Sequence, residues 1–478
     1  MSFPAYNECK ETGMQGLGYI PIHWELKRLK DVASHNDETL GEDTPEEADF
    51  LYVDISSVNT QQGIHTKEEV LFKNAPSRAR RRVRDGDVMV STVRTYLKAI
   101  ARVTEPEENL IVSTGFTVVR PGEQLDPKYA GFLMLSNYFV DEVISRSTGV
   151  SYPAINASDL VRIGVTVPPL NEQRAISSFL DTETSKIDGL VSEQRRLIDL
   201  LKEKGQAVIS HAVTKGLNPN APMKPSGIQW LGDVPEHWSL KPLKYLATFR
   251  SGGTPSKTVP EYWHGDIPWA SSKDLKTETL ADTIDHITQC ALDCDEATLV
   301  PAGSVLVVVR GMILLHTFPV VQTLVPMAIN QDLKALTPAE CIDISYLPWL
   351  LRGSTSATFG RIDEAAHGTK VLRMEAWASI HLPVPPIDEQ HEIVQAIEKQ
   401  LETLSQLQTE AERAIELLKE RRTALISAAV TGKIDVREFT PVSGEALAAG
   451  SSTVVPKVSG KALAAGSSER LTSKVLKS

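Results

Sequence analysis

The sequence predicts an α/β (α+β) protein: two similar globular domains, related as a pseudo-twofold internal repeat and separated by a long antiparallel two-helix coiled coil. Three observations carry this. Two blocks of sequence recur, one 214 residues on (231 − 17) and the other 217 (385 − 168). The second block opens on paired prolines and then carries heptad-spaced apolar residues in both copies. The stretches between the blocks mix short strand-like runs with helical patches.

The first block, LGYIPIHWELKRLKDVA (17–33), matches LGDVPEHWSLKPLKYLA (231–247). The shared positions include Pro21/Pro235, His23/His237, Trp24/Trp238 and Leu29/Leu243. The second opens as PPLNEQ (168–173) and again as PPIDEQ (385–390), and runs on without a gap to Leu217 and Ile434. A period above roughly 200 residues is a domain duplication rather than a solenoid of short repeats.

The second block reads as a long helix. Paired prolines end the preceding strand, since proline cannot continue a ladder or sit inside a helix. Asn171 and Asp388 suit N-caps, and Glu172 and Glu389 suit the positive helix start. Residues 171–213 hold no proline; about 43 residues at 1.5 Å each span roughly 65 Å. Leu180, Ile187, Leu201 and Val208 fall at one heptad position, and Ile176, Leu190 and Leu197 at the other. Ile397, Leu404, Leu418 and Leu425 answer the first set; Ile393 and Leu407 answer the second. The shared register favours two helices packed as a coiled coil. The alternative, each helix lying on its own domain, leaves much of the apolar stripe exposed. The expected organisation is an N-terminal extension (1–16), a domain (17–167), a helix (168–215), a linker (216–230), a second domain (231–384), a second helix (385–436) and a flexible tail (437–478). The tail carries its own echo, SGEALAAGSS and SGKALAAGSS.

Composition narrows the class. The chain is 41% hydrophobic and 23% charged, as in ordinary globular protein. Its longest apolar run, 304–316, is broken by Arg310 and Gly311, so no membrane span is expected. The N-terminus lacks a signal-peptide layout, which points to a cytoplasmic protein. Four cysteines in 478 residues do not make a disulfide framework. His286, Cys290 and Cys294 would share one face of a helix, but a fourth zinc ligand is missing, and packing explains them better. The net charge of −11 argues against a uniformly basic nucleic-acid binder, although local patches decide phosphate contact.

Within the variable stretches, DVMVSTV, LIVSTGFTVVR and SVLVVV are strand-like. PKYAGFLMLSNYFVDEVIS and ISYLPWLLRGSTSATF are helical in pattern. Arg78, Arg80, Arg82 and Arg84 alternate; on one strand they would share a face at about 6.6 Å spacing. That ladder suits a phosphate backbone and equally a charged, solvated edge strand. The acidic run 36–49 is expected in a solvent-facing loop. SGGTPSKT (251–258) imitates a phosphate loop but has Ser256 where glycine is needed. Asp274/Lys276 and Asp332/Lys334 lack a nuclease context. No nucleophile–base arrangement, HExxH, GxSxG or GxGxxG occurs, and none of the proline pairs completes an amino-methyltransferase motif. No catalytic and no metal-binding residues are therefore expected.

These motifs together resemble the specificity subunit of type I restriction–modification systems. The resemblance rests on the IPIHW/VPEHW starts, the GGTPSK…EYWHGDIPWASSKDL opening of the second domain, and the PPLNEQ/PPIDEQ exits with their helices. It covers about residues 17–437. The first domain departs from the pattern at its start, where it lacks the Gly-Gly-Thr-Pro turn. The resemblance implies target-recognition domains, each reading one half of a bipartite site in double-stranded DNA. It implies that the helices set the spacing and dock two modification (methyltransferase) subunits, which restriction (ATP-dependent translocase/nuclease) subunits then join in a prokaryotic cytoplasm. S-adenosylmethionine, ATP and magnesium would belong to those partners, with no cofactor in this chain. DNA contact would fall in the first domain to Ser56, Ser57, Asn59, Arg94, Tyr96, Lys98, Ser147, Thr148, Ser151 and Tyr152, with the Arg78–Arg84 ladder. In the second it would fall to Thr254, Ser256, Lys257, Ser271, Ser272, Lys273, Arg310 and Lys370. At each of these positions a structural turn or solvated surface explains the residue type as well. The rival functions are a coiled-coil scaffold that reads no DNA and a stand-alone methyltransferase or nuclease.

Overall fold

The computed structural model describes residues 3–364 and 368–439. The echoing tail segments lie outside the described residues. The chain divides into two compact units, Met1–Ile187 with Glu420–Ser478, and Asp188–Lys419. The division falls inside both long helices, α1 (Leu170–Lys215) and α2 (Ile387–Val430). Each unit thus owns one recognition-sized domain, the start of the helix that leaves it, and the end of the other helix.

The two domains share little sequence but one topology. In the first, Glu68–Leu71, Asp49–Val53, Leu110–Ser113 and Ala79–Arg82 form one sheet in that order, and Ile100–Arg102, Val88–Ser91, Phe116–Pro121 and Ala33–His35 form another. The second repeats both orders with Asp285–Ile287, Trp263–Ala270, Met327–Ile329 and Thr298–Val300, and with Val320–Thr323, Val305–Val308, Leu333–Pro338 and Ala247–Ser251; Thr279–Leu280 adds a strand. Register agrees as well: Val53 pairs in parallel with Val112, and Ala270 with Ile329. Both partners are displaced by the same 217 residues as the proline motifs (385 − 168). In each domain a two-stranded ladder leads into the proline pair, Gly164–Val167 with Glu25–Arg28 and His381–Val384 with Ser239–Pro242.

Several elements are shorter than their patterns. The run 127–145 is two helices, Pro127–Leu135 and Asn137–Ser145. Asp126 caps the first, and the Ser136 hydroxyl ends it and caps the second through the Phe139 amide. Polar side chains compete for backbone groups in this way, so they interrupt helices. The run 110–120 splits at Thr114–Gly115 into two strands of different sheets. A Cβ at Gly115 would stand 2.7 Å from the Ile55 Cδ1. The stretch 344–359 forms Tyr346–Gly353 and Thr355–Phe359.

The supposed extension and linker are not loose. Cys9–Glu11 pairs with Tyr19–Pro21, and Met223–Pro225 pairs with Asp233–Pro235, as equivalent hairpins. The repeat therefore begins before residue 17: TGMQGLG (12–18) answers SGIQWLG (226–232).

The helix pairing holds in the second unit, and it is antiparallel there. Gly205 of α1 faces Leu401 of α2, whereas Gly216 just past the end of α1 faces Glu389 near the start of α2. One heptad set is as expected: Leu180, Ile187 and Ile397 are buried. The other set is split: Ile176 and Ile393 are buried, whereas Leu190 and Leu407 are 52% and 45% exposed, and Leu197 is also exposed. The second seam is instead Thr184, Val191, Ile198, Gly205 and Ala212 in α1, and Leu401, Gln408 and Ile415 in α2, buried or half-buried. Its small residue Gly205 brings the helices close, since a Cβ there would stand 3.3 Å from the Leu401 side chain. A count of leucines alone points to the wrong face.

Candidate nucleic-acid interface and its joints

Each domain is fixed to its helix by the same pair of side chains. The helices start at Leu170 and Ile387, and the Gln173 and Gln390 amides donate to the Pro169 and Pro386 carbonyls. Asn171 and Asp388 therefore lie inside the first turn and are not the caps. The prolines, with φ preset and no N–H to satisfy, occupy that place. The next two residues make the joint. The Glu172 carboxylate accepts from the Tyr6 hydroxyl (2.5 Å) and the Trp24 indole (3.0 Å) and meets His23 Nε2 at 2.8 Å. Burial and that carboxylate push the Tyr6 hydroxyl far above its ordinary range. Glu389 accepts from the Trp238 indole (2.9 Å) and meets His237 Nε2 at 2.7 Å.

The glutamines are buried as well. Gln173 donates to the Pro168 and Gln124 carbonyls (2.8 and 2.9 Å) and accepts from the Asp126 amide (2.7 Å). Gln390 donates to the Pro385 and Cys341 carbonyls (2.9 and 3.0 Å) and accepts from the Asp343 amide (2.8 Å). Each side-chain amide stands in for a peptide between the helix start and a domain loop, pairing carbonyl and amide groups that the loop would otherwise leave open. Gly432 and Gly216 close the same joints. Both have left-handed φ (+71° and +76°), and a Cβ at either would stand 3.3 Å from the Trp24 or Trp238 ring respectively. The sequence pattern points only to helix-start electrostatics for Glu172 and Glu389, and to no role for the glutamines or the HW pair. Their joint recurrence at both ends of each domain was the available signal.

The structure gathers part of the predicted contact set in the first domain. Val88–Ser91 ends in a turn, Thr95–Leu97, held between Arg94 and Lys98, both left-handed at φ 50° and 51°. Beside it the Thr148–Ala154 bridge carries Ser151 and Tyr152 on its loop. The Arg94 guanidinium lies over the Tyr152 ring at 4.9 Å, and the Thr95 and Ser147 hydroxyls meet at 2.9 Å. Tyr96 and Tyr152 are 52% and 65% exposed. Arg94 and Lys98 have no acidic partner among the described residues, so this tip is cationic and aromatic. Ser56 and Ser57 lie on a single 3-10 turn, Ile55–Ser57, against the same core. Asn59 holds the tight turn through the Gln61 and Gln62 amides.

The arginine ladder is not a ladder. The strand covers only Ala79–Arg82, so Arg78 and Arg84 lie outside it. Arg80 packs over the Phe72 ring at 4.6 Å, and Arg84 pairs with Glu38 at 2.6 Å. Arg82 remains exposed in the strand and Arg78 exposed before it. The Asp87 carboxylate draws the chain into a turn by accepting from the Arg84 amide, which ends the strand pattern. The acidic run 36–49 is likewise not all turned to solvent. Arg120 joins Glu38 (2.7 Å) to buried Asp87 (2.8 Å), and its hydrogen bond holds the Glu38 carboxyl below the ordinary range.

In the second domain Arg310 bridges to Val371 as Val93 bridges to Ala154 in the first, and the Gly311 amide donates to the Lys370 carbonyl at 3.0 Å. Lys370 is paired with Glu364 at 2.7 Å. Thr254 bonds Gln331, and the Ser256 hydroxyl bonds Thr258 within a loop that leaves Lys257 exposed. Gly252 and Gly253 sit where a Cβ would strike the Ile329 and Glu296 carbonyls, so that loop hugs its own domain rather than cradling a phosphate. Ser271 is a turn former, with its amide and hydroxyl on Asp274; Ser272 is half-buried and Lys273 exposed. His286, Cys290 and Cys294 do not share a helix: His286 is on a strand and bonds Asp282, and the helix is only Gln289–Asp293.

Two segments, residues 21–194 and 235–417, match the family model described as the type I restriction modification DNA specificity domain. The chain is 34% identical over 179 residues to the EcoR124I/EcoR124II specificity subunit of Escherichia coli, covering 37% of this chain and 44% of that one. The match to the MjaIX specificity subunit of Methanocaldococcus jannaschii also spans less than half of that relative, 38%. The putative MjaX specificity subunit of the same archaeon is 22% identical over 447 residues, 88% of this chain and 96% of that one. A solved chain from work on complex assembly and conformational transition of the type I R-M system superposes with TM-score 0.64 at 22% identity, covering 86% of this chain and 98% of that one. It has the same fold.

Proposed function

The chain belongs to the type I restriction–modification DNA specificity family, and from that premise we propose that it is the non-catalytic subunit that chooses the DNA sequence. Each domain reads one half of a bipartite site in double-stranded DNA. The helices set the length of the unread gap and dock two modification subunits, which restriction subunits then join. S-adenosylmethionine, ATP and magnesium act in those partners, in a prokaryotic cytoplasm. Among the described residues no helix is long and apolar enough to cross a membrane.

One observation carries the reading: a single domain topology occurs twice, each copy clamped to a long helix by the same Glu–Gln joint and each presenting different side chains at the same tip. A duplicated frame with divergent tips suits a split, asymmetric target, as dimer symmetry suits paired half-sites. The docking surface we assign includes Leu190, Leu200, Leu407 and Leu417, exposed leucines at matching places on the two helices. A scaffold without DNA reading has no use for divergent tips on a fixed frame.

The test is methylation mapping by long-read sequencing in cells that express this chain with its modification subunit. A split motif with a non-specific gap is expected, and exchanging residues 17–167 for those of another family member changes one half of it. A continuous motif, or a change in both halves, refutes the reading.

A further inference from the structure

Resting on that DNA-reading role, we propose that the two domains read opposite base chemistry: the first through guanine acceptors contacted by Arg94 and Lys98, the second through a thymine methyl packed by Met312 and Leu315. The tips are structurally the same place. Val93 bridges to Ala154 as Arg310 does to Val371, and Thr95–Leu97 follows the first strand as Met312–Leu315 follows the second. At the shared 217-residue displacement, Arg94 answers Gly311, Tyr96 answers Ile313 and Lys98 answers Leu315.

The chemistry at this place is inverted. In the first domain two cationic side chains occupy left-handed positions that glycine would take without strain; in the second domain the place of Arg94 is held by Gly311, at a positive φ of 146°. Left-handed non-glycine residues are held where the side chain is needed. Arginine or lysine facing O6 and N7 is the commonest specific contact to guanine. In the second domain the tip has lost those charges. Met312 and Leu315 are 58% and 49% exposed, on a turn whose inner residue, Leu314, is buried. The C5-methyl of thymine is the one apolar group on a major-groove edge. Exposed Arg310 flanks the apolar pair and supplies the backbone phosphate contact that positions it.

The test uses the full chain with its modification subunit and duplexes of the mapped target, with halves assigned by the domain exchange above. Replacing thymines with uracil in the second domain's half removes only methyl groups. Binding is expected to weaken about fourfold per contacted methyl, the worth of one buried methylene. The Met312→Ser, Leu315→Ser double variant is expected to lose that sensitivity. In the first domain's half, 7-deazaguanine is expected to weaken binding at least about fivefold, and the Arg94→Met, Lys98→Met double variant to abolish the effect. Equal binding of uracil and thymine duplexes by the unaltered chain, or a second half-site without an A·T pair, overturns the inference while leaving DNA reading intact. A complex that selects no sequence overturns both. The uracil and deazaguanine measurements need no variant, so misfolding cannot imitate either result.

Discussion

Replacing Glu172 by alanine should loosen the first joint far more than the same change at Glu389 loosens the second. Glu172 is 4% exposed and serves two buried donors, the Tyr6 hydroxyl and the Trp24 indole, besides His23. A buried donor left without its acceptor costs about 1–3 kcal/mol, so the pair costs about 2–6 kcal/mol. His23, 37% exposed, finds water and adds little. Glu389 is 25% exposed and serves one buried donor, the Trp238 indole, beside half-exposed His237, for about 1–3 kcal/mol. The difference, about 2 kcal/mol, is about thirtyfold in a local opening constant. Hydrogen–deuterium exchange resolves each joint separately, which bulk unfolding of a two-unit chain does not. Peptides over residues 17–28 in Glu172→Ala should exchange about thirtyfold faster, relative to the parent chain, than peptides over 231–242 in Glu389→Ala. Glu172→Gln keeps one acceptor oxygen and should fall between parent and alanine. Equal effects at the two joints, or unchanged exchange in Glu172→Ala, would show that the carboxylate does not hold the domain to its helix.

Gly432→Ala should cost more than the roughly 1–2 kcal/mol of a left-handed alanine, because its Cβ would stand 2.3 Å from Pro21 Cδ; Gly216→Ala, whose nearest obstacle is the Trp238 ring at 3.3 Å, should cost about that backbone term alone. Thermal melting of the two variants ranks them. Leu190→Ser should change stability by no more than about 0.5 kcal/mol, whereas Ile187→Ala, on the buried seam, should cost about 2–5 kcal/mol in urea titration. The Glu38 carboxyl is depressed by Arg120, so its contribution is complete above the unfolded value of about 4.3 and is lost as pH falls through the lower folded value. Glu38→Gln should therefore lower the melting temperature at pH 7 and flatten its fall below about pH 4.3.

The duplication was legible because its blocks are nearly identical in type, and the HW and EQ motifs announced themselves by recurring. Their partnership was not, because Trp24 meets Glu172 only after a whole domain has folded between them. The hairpin shared by residues 9–21 and 223–235 was hidden by composition: proline, glycine and asparagine suggest a linker, although the strands carry Lys10 and Lys224 at matching places. The true second seam escaped because Thr184, Gly205 and Ala212 break the apolar run around Val191 and Ile198, while Leu190 and Leu197 mark the wrong face. The arginine ladder failed because period-two spacing says nothing of where a strand stops, and Asp87 stops this one. Neither domain's sequence predicts the other's topology. Only strand register, such as Val53 with Val112 and Ala270 with Ile329, brings them together.

The glutamine bridges bear on mechanical tolerance. A 46-residue helix is a lever of about 69 Å. A swing of about 3° at its base moves the far end by about 3.4 Å, the rise of one base pair. A joint made only of apolar contacts slides by that much at little cost. Gln173 and Gln390 each tie their helix to two backbone segments through three directional bonds, so the same swing must bend all three at once. The direction of each helix is therefore set by oriented amide bonds as well as by packing.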